Sequence, residues 1–307
     1  MSVTSTRTAM VSNIEPKNIE HKSQEVSGLN IFYREAGNRT APHVVLLHGF
    51  PTSSYQYRHL IPLLSDKYHV VAPDLPGFGL TVVPDSAKFE YTFENITNVV
   101  GAFLDSLKIN EFAVYVFDYG ADIACRLAIT RPDLKIQAFI SQSGNVYEDG
   151  LEEEFWADLK KYWKDGSLES RNALKSAFGM EFTRFQYEAG VPQDKLPLIE
   201  PEAYYLDDSL LSRPGKEAIN LDLFYDIRNN VKLYPEFHEY FRTSKVPILA
   251  VWGKNDPIFI PQGAEAFKKD SPSAVVKLYD TGHFALETHV AEIARDIHAF
   301  LEGVYSH

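Results

Sequence analysis

The chain has 307 residues, 45% of them hydrophobic and 23% charged, with 30 Lys+Arg against 42 Asp+Glu and a formal charge of −12. That acid surplus argues against a nucleic-acid partner, because such affinity rests on neutralising phosphates with Lys and Arg. The single cysteine, Cys125, excludes an internal disulfide, and no stretch approaches the roughly 18 apolar residues needed to cross a bilayer. The expectation is a soluble, cytoplasmic, globular protein with one large core.

Residues 1–13 are Ser/Thr-rich with one Arg and no apolar run, so they read as a flexible tail rather than a secretory signal. Tyr305-Ser306-His307 matches no retention or peroxisomal signal. Between these ends, short apolar runs rich in Val, Ile, Phe and Tyr occur at 43–47, 69–73, 112–117, 136–141, 247–252 and 274–279. Their apolar positions are consecutive, as expected of strands covered on both faces. Helix-length segments lie between them at 55–65, 92–107, 121–130, 261–269 and 286–304; Ile293, Ile297, Phe300 and Leu301 form a helical stripe on the last. Alternation of this kind predicts an α/β fold, a mostly parallel sheet with helices on both faces.

The rhythm stops at 146–242. Amphipathic helical pieces such as 151–164 and 171–178 replace the strands, so this stretch reads as a largely helical insertion. The predicted organisation is a core of 14–145 and 243–307 carrying an inserted unit of 146–242.

Four fragments sit at predicted carboxyl ends of strands, where open α/β sheets place their chemistry. They are His48-Gly49-Phe50-Pro51, Val116-Phe117-Asp118-Tyr119-Gly120, Trp252-Gly253-Lys254-Asn255-Asp256-Pro257 and Thr281-Gly282-His283-Phe284. Taken singly, each has a bland reading: a turn, a helix N-cap, an Asn-Asp-Pro turn, a satisfied imidazole. Together they run in chain order as oxyanion loop, nucleophile, acid and histidine. Nucleophile, acid, His is the order of α/β-hydrolases, with Asp118 where the elbow usually carries Ser and with Val116 where it usually carries a small residue.

On these residues the sequence resembles the α/β-hydrolase superfamily over about 25–304. More narrowly it resembles the branch of epoxide hydrolases and haloalkane dehalogenases. His48-Gly49-Phe50-Pro51-Thr52-Ser53-Ser54-Tyr55-Gln56-Tyr57-Arg58 is similar to that branch's H-G-x-P-x-S-x-x-x-W-R signature, with Tyr57 in the Trp place. Ala72-Pro73-Asp74-Leu75-Pro76-Gly77-Phe78-Gly79 is similar to its second signature. The resemblance implies the α/β-hydrolase fold with a mostly parallel central sheet, and a helical cap at 146–242.

An aspartate nucleophile changes the reaction. A carboxylate displaces leaving groups at sp³ carbon and forms an alkyl-enzyme ester, which water then cleaves at the enzyme's own carboxyl carbon. Asp118 is therefore the expected nucleophile, His283 the base for water, and Asp256 the group orienting His283. The backbone N–H groups of Phe50 and Tyr119 are the expected oxyanion hole.

The leaving group selects the substrate. An epoxide leaves as an alkoxide and needs a proton donor, for which related enzymes use cap tyrosines; Tyr147 and Tyr225 are the expected pair. A halide needs fixed N–H donors, usually a Trp directly after the nucleophile, where this chain has Tyr119. Trp156 and Trp163 could supply an indole, but their seven-residue spacing also fits the packed face of a helix. Fluoroacetate dehalogenases carry an Arg after the nucleophile, and Tyr119 breaks that pattern despite Arg126 and Arg228.

The expectation is an epoxide hydrolase. A dehalogenase is the alternative, and a non-catalytic binding protein on the same fold is the alternative of a different class. No cofactor or metal is expected: His21, His43, His59, His69, His238, His289, His298 and His307 have no ligand spacing, and no nucleotide motif occurs. The expected partners are a small-molecule substrate and water, with neither nucleic acid nor membrane; a homodimer is compatible. Of the acid surplus, 146–242 holds 20 Asp+Glu against 12 Lys+Arg. A negative cap disfavours anionic substrates and favours a neutral one.

Overall fold

The computed structural model of the protein describes residues 18–305; the tail expected over 1–13 lies outside them. Eight strands make one sheet: β1 (Glu20–Val26), β2 (Leu29–Ala36), β3 (His43–Leu47), β4 (His69–Pro73), β5 (Glu111–Phe117), β6 (Lys135–Gln142), β7 (Ile248–Gly253) and β8 (Val275–Tyr279), in the spatial order β1-β2-β4-β3-β5-β6-β7-β8. From β4 through β8 every pairing is parallel. β1 and β2 pair antiparallel, and β2 joins β4 antiparallel.

The hairpin of β1 and β2 has no counterpart among the predicted runs. β1 reads Glu-His-Lys-Ser-Gln-Glu-Val and is mostly exposed, as an edge strand is. Its turn, Ser27-Gly28, takes positive φ at both residues (53° and 78°), the two-residue turn whose twist matches a hairpin. The run at 274–279 also departs from expectation. It forms the opposite edge, β8, with Val275 41% and Leu278 45% exposed rather than covered on both faces.

Strand pleating divides the core. Val44, Leu46, Val70, Ala72, Tyr115, Ile140 and Val251 face one layer, made by α1 (Leu60–Leu64) and the carboxy-terminal helix that runs Ala285–Tyr305. Their neighbours Val45, Leu47, Val71, Val114, Val116, Phe139 and Trp252 face the other, made by α2 (Phe93–Leu107), α3 (Tyr119–Thr130) and a helix at Gln262–Asp270. Ile293, Ile297 and Leu301 are fully buried, each contributing about 1.5–3 kcal/mol of burial.

Between β6 and β7 the chain forms α4 (Glu153–Asp165), α5 (Leu168–Ala173), α6 (Met180–Glu188), α7 (Pro201–Leu211), α8 (Lys216–Val231) and α9 (Tyr234–Ser244); α10 (Gln262–Asp270) and α11 (Ala285–Tyr305) follow. α4 shows why helix wins here. Glu152 caps it by accepting from Phe155 N–H, Glu153 and Glu154 sit in its first turn, Lys164 in its last, and Gly166 ends it in the left-handed region. α9 packs on the core, with the Phe241 ring 5.3 Å from Phe139 and 5.5 Å from Phe267. The other inserted helices lie beyond the carboxyl ends of the parallel strands. Arg58 holds α7 there, donating to Glu200 at 2.8 Å and to Glu287 of α11 at 2.6 Å.

Candidate active site

β5 ends at Phe117 and α3 begins at Tyr119, so Asp118 makes the whole turn between them. It does so at φ 50° and ψ −120°, a strained conformation costing about 1–3 kcal/mol that pushes the side chain out above the sheet. Close packing permits the bend. A Cβ on Gly120 would collide with the Leu47 carbonyl, and one on Gly49 with the Asp118 carboxylate. The departure at Val116 is accommodated by Gly144, where an added Cβ would come within 2.9 Å of both Val116 Cγ2 and Ala121 Cβ.

One carboxylate oxygen of Asp118 is held twice. Oδ1 accepts the backbone N–H of Phe50 and that of Tyr119, each at 2.7 Å. The loop bearing Phe50 is itself fixed by a buried neutral histidine. His48 Nε2 accepts Leu75 N–H at 2.9 Å, so its proton sits on Nδ1 and is donated to the Gly49 carbonyl at 3.0 Å. Burial holds the His48 pKa below its ordinary value, in keeping with a neutral ring. Asp74 of the second motif ties the two loops, accepting Ser54 N–H at 2.8 Å and Leu80 N–H at 2.7 Å.

His283 follows β8 and Asp256 follows β7, and both are buried. His283 Nδ1 bonds Asp256 Oδ2 at 2.9 Å, while Asp256 Oδ1 accepts the N–H groups of Ile258 and Phe259 at 2.8 and 3.1 Å. The other ring nitrogen, His283 Nε2, is buried and has no partner among the described residues. The ring packs against Phe117, the neighbour of Asp118, with centroids 4.6 Å apart.

Burial pushes the Asp118 pKa up to about 6, while His283 and the two N–H donors pull it back down. In the expected ester chemistry of Asp118, only the ionised carboxylate attacks carbon. kcat/KM is therefore expected to be flat above about pH 6 and to fall tenfold per pH unit well below it. A pH–rate profile checks this, and an acid limb near pH 4 would mean that Asp118 is not desolvated.

Asp118 opens onto a cavity of about 220 Å³. Phe50, Tyr119 and Ile258 line its core side, and the inserted helices contribute Phe155, Trp156, Leu159, Leu174, Phe182, Gln186, Phe224 and Ile227. The structure does not bring the two expected acid tyrosines to this space. Tyr147 stacks on His238 at 4.1 Å and lines a separate cleft with Lys269 and Asp270. Tyr225 lies on the outer face of α8, beneath Arg228 and 4.7 Å from the Tyr162 ring, and lines another cleft with Tyr91 and Asp226. Helical direction is the reason: Phe224 and Ile227 take the inward positions of α8, which turns Tyr225 away. Tyr147→Phe and Tyr225→Phe are each expected to stay within about threefold of the parent kcat, measured on an epoxide. A loss of 10²-fold or more in either would restore its acid role.

The indoles are equally committed. Trp156 Nε1 donates to the Ile258 carbonyl and Trp163 Nε1 to the Phe224 carbonyl, both at 2.7 Å. Gln186 was not singled out by the sequence, since a polar residue on an exposed-looking helix carries no periodic signal. Its proximity to the cavity follows only from how α6 packs.

An eight-stranded, mostly parallel sheet with a strained turn after β5 and a His–carboxylate pair on later loops defines an α/β-fold hydrolase. A family model for the alpha/beta hydrolase fold matches residues 42–290, and the chain belongs to that family. It is 46% identical over 280 residues to the uncharacterized hydrolase YNR064C of Saccharomyces cerevisiae, covering 90% of this chain and 95% of that one. A haloalkane dehalogenase of Bradyrhizobium diazoefficiens is 39% identical over 318 residues, covering 94% and 96%. Human epoxide hydrolase 4 is 27% identical over 270 residues, covering 85% and 69%. The dehalogenase and the epoxide hydrolase belong to the branch that the motifs resemble.

Proposed function

We propose that the protein hydrolyses a small neutral substrate at an sp³ carbon through an ester on Asp118, and that the substrate class is an epoxide. The observation that carries the ester is the double hold on Asp118 Oδ1. With Oδ1 turned into the two backbone N–H groups, Oδ2 is left to attack the substrate. In the second half-reaction His283, oriented by Asp256, takes a proton from water. The water oxygen adds to the Asp118 carboxyl carbon, and the charge that develops falls on the oxygen already held by Phe50 and Tyr119. A binding protein has no use for that arrangement.

The epoxide reading rests on the spent indoles. With Trp156, Trp163 and Trp252 all bonded to carbonyls and Tyr119 after the nucleophile, no indole N–H among the described residues remains to hold a halide. The mostly apolar cavity wall suits an uncharged substrate. The acid surplus of 146–242 works against haloacids as well. Helices α4–α8 act in this reading as the cap, with α4, α5, α6 and α8 supplying the wall facing Asp118, whereas α9 packs on the core layer. The lone buried cysteine fits the reducing cytoplasm.

One specific observation favours a second reading, haloalkane dehalogenation: the 39% identical relative bears that name. Intact-mass measurement of the His283→Gln variant after incubation with a terminal epoxide or with an alkyl bromide separates the two. An adduct on the Asp118 peptide from the epoxide supports the lead; one from the bromide alone replaces it with the dehalogenase.

A further inference from the structure

Opening an epoxide demands a partner for the departing oxygen, and the cap tyrosines expected in that role lie elsewhere. The cavity wall supplies another kind of group. Gln186, on the inner face of α6, is only 3% exposed, and its Nε2 is buried with no hydrogen-bond partner among the described residues. Leaving a buried amide unpaired costs about 1–3 kcal/mol, so its place in a mostly apolar wall needs a reason. One other cavity-lining residue carries a buried, unpartnered donor: the hydroxyl of Tyr119. The two donors come from opposite sides, one from the inserted helices and one from the core.

We propose that Gln186 and the Tyr119 hydroxyl together form the site that receives the leaving oxygen of an epoxide, in place of a pair of cap tyrosines. This rests on the ester reading of Asp118. Asp118 Oδ2 bonds to the ring carbon, the C–O bond breaks, and its electron pair goes to oxygen. The Gln186 amide donates a hydrogen bond to that oxygen without losing its proton, since an amide is too weak an acid. The proton itself comes from the Tyr119 hydroxyl, leaving a phenolate. When water later cleaves the ester, His283 takes one water proton and passes it to the departing alkoxide, the other leaves the regenerated Asp118 carboxyl to restore the Tyr119 phenol, and the sum is epoxide plus water giving a diol. Burial and the neighbouring Asp118 and Asp122 raise the Tyr119 pKa, so the phenol gives up its proton only to an oxygen that is becoming an alkoxide, a far stronger base.

The test uses His283→Gln as background, because it isolates ester formation from hydrolysis. Adding Gln186→Leu, which keeps bulk and removes the donor, is expected to slow alkylation by a terminal epoxide on the order of 10²-fold. Tyr119→Phe is expected to slow it at least as much. With an alkyl iodide, whose leaving group accepts hydrogen bonds poorly and needs no proton, both losses should shrink to within about fivefold. A purely structural role would slow the two substrates alike. Equal losses on epoxide and iodide, or an epoxide rate within twofold of the background, would overturn the proposal while leaving the ester intact. No adduct in the His283→Gln background itself, from epoxide or halide, would instead remove the ester reading.

Discussion

Replacing His283 by Gln is expected to yield a protein that consumes one equivalent of substrate and stops. Attack by Asp118 needs no proton from His283, so alkylation proceeds, and the mass of the intact chain rises by that of one substrate molecule. Hydrolysis then stalls because water loses its base. Gln presents an amide where the free Nε2 stood, and an amide cannot take the proton. Loss of a general base of this kind lowers steady-state turnover by on the order of 10²–10⁴-fold. Proteolysis should put the added mass on the peptide holding Asp118. Wild-type-like turnover, or an adduct on a different carboxylate, would sink the mechanism. Asp256→Asn is the milder relative of this variant, because it leaves the base in place and disturbs only its tautomer and orientation.

The second large effect belongs to Asp118→Asn. Asn retains an oxygen that can accept from Phe50 and Tyr119, so the turn and the fold should survive with a melting temperature close to the parent's. The amide is no nucleophile, and turnover should fall by on the order of 10⁴-fold or more. No adduct should form even when His283 is also replaced. A single turnover of the parent in heavy-oxygen water provides the matching positive result. The label should appear in the Asp118 carboxylate rather than in the product, because water attacks the enzyme's carboxyl carbon. Label found only in the product would mean that water attacks the substrate directly.

Much of the architecture was legible because strand burial leaves a direct trace in composition. Runs such as Val44-Val45-Leu46-Leu47 are apolar at every position since both pleated faces meet a helical layer. The hairpin of β1 and β2 left no such trace. Its strands are alternating or polar, as an edge hairpin with one face in water is built. β8 misled in the opposite way, as an apolar run that ends the sheet with one side open.

At the candidate site the division is sharper. Asp118, Asp256, His283 and the Phe50 loop each follow a strand directly, so their positions were set by chain order. A residue one step beyond a parallel strand can only emerge at the same end of the sheet as its neighbours. The inserted helices obey no such rule. Whether Tyr225, Trp156 or Gln186 meets the cavity depends on helix rotation and on which neighbour fills each gap, and both are set by packing across the whole molecule.

Residue pattern was therefore enough to give the class of fold, the chain order of the candidate groups and the chemistry open to an aspartate. Those properties depend on local pattern and residue type. Tertiary structure decided what surrounds Asp118: two indoles tied to carbonyls, two tyrosines lining other clefts, and one buried amide with no partner among the described residues. A helical side chain rotates by about 100° per residue, so a single-residue difference in phase turns it from the cavity toward solvent. Only the packed molecule fixes that phase.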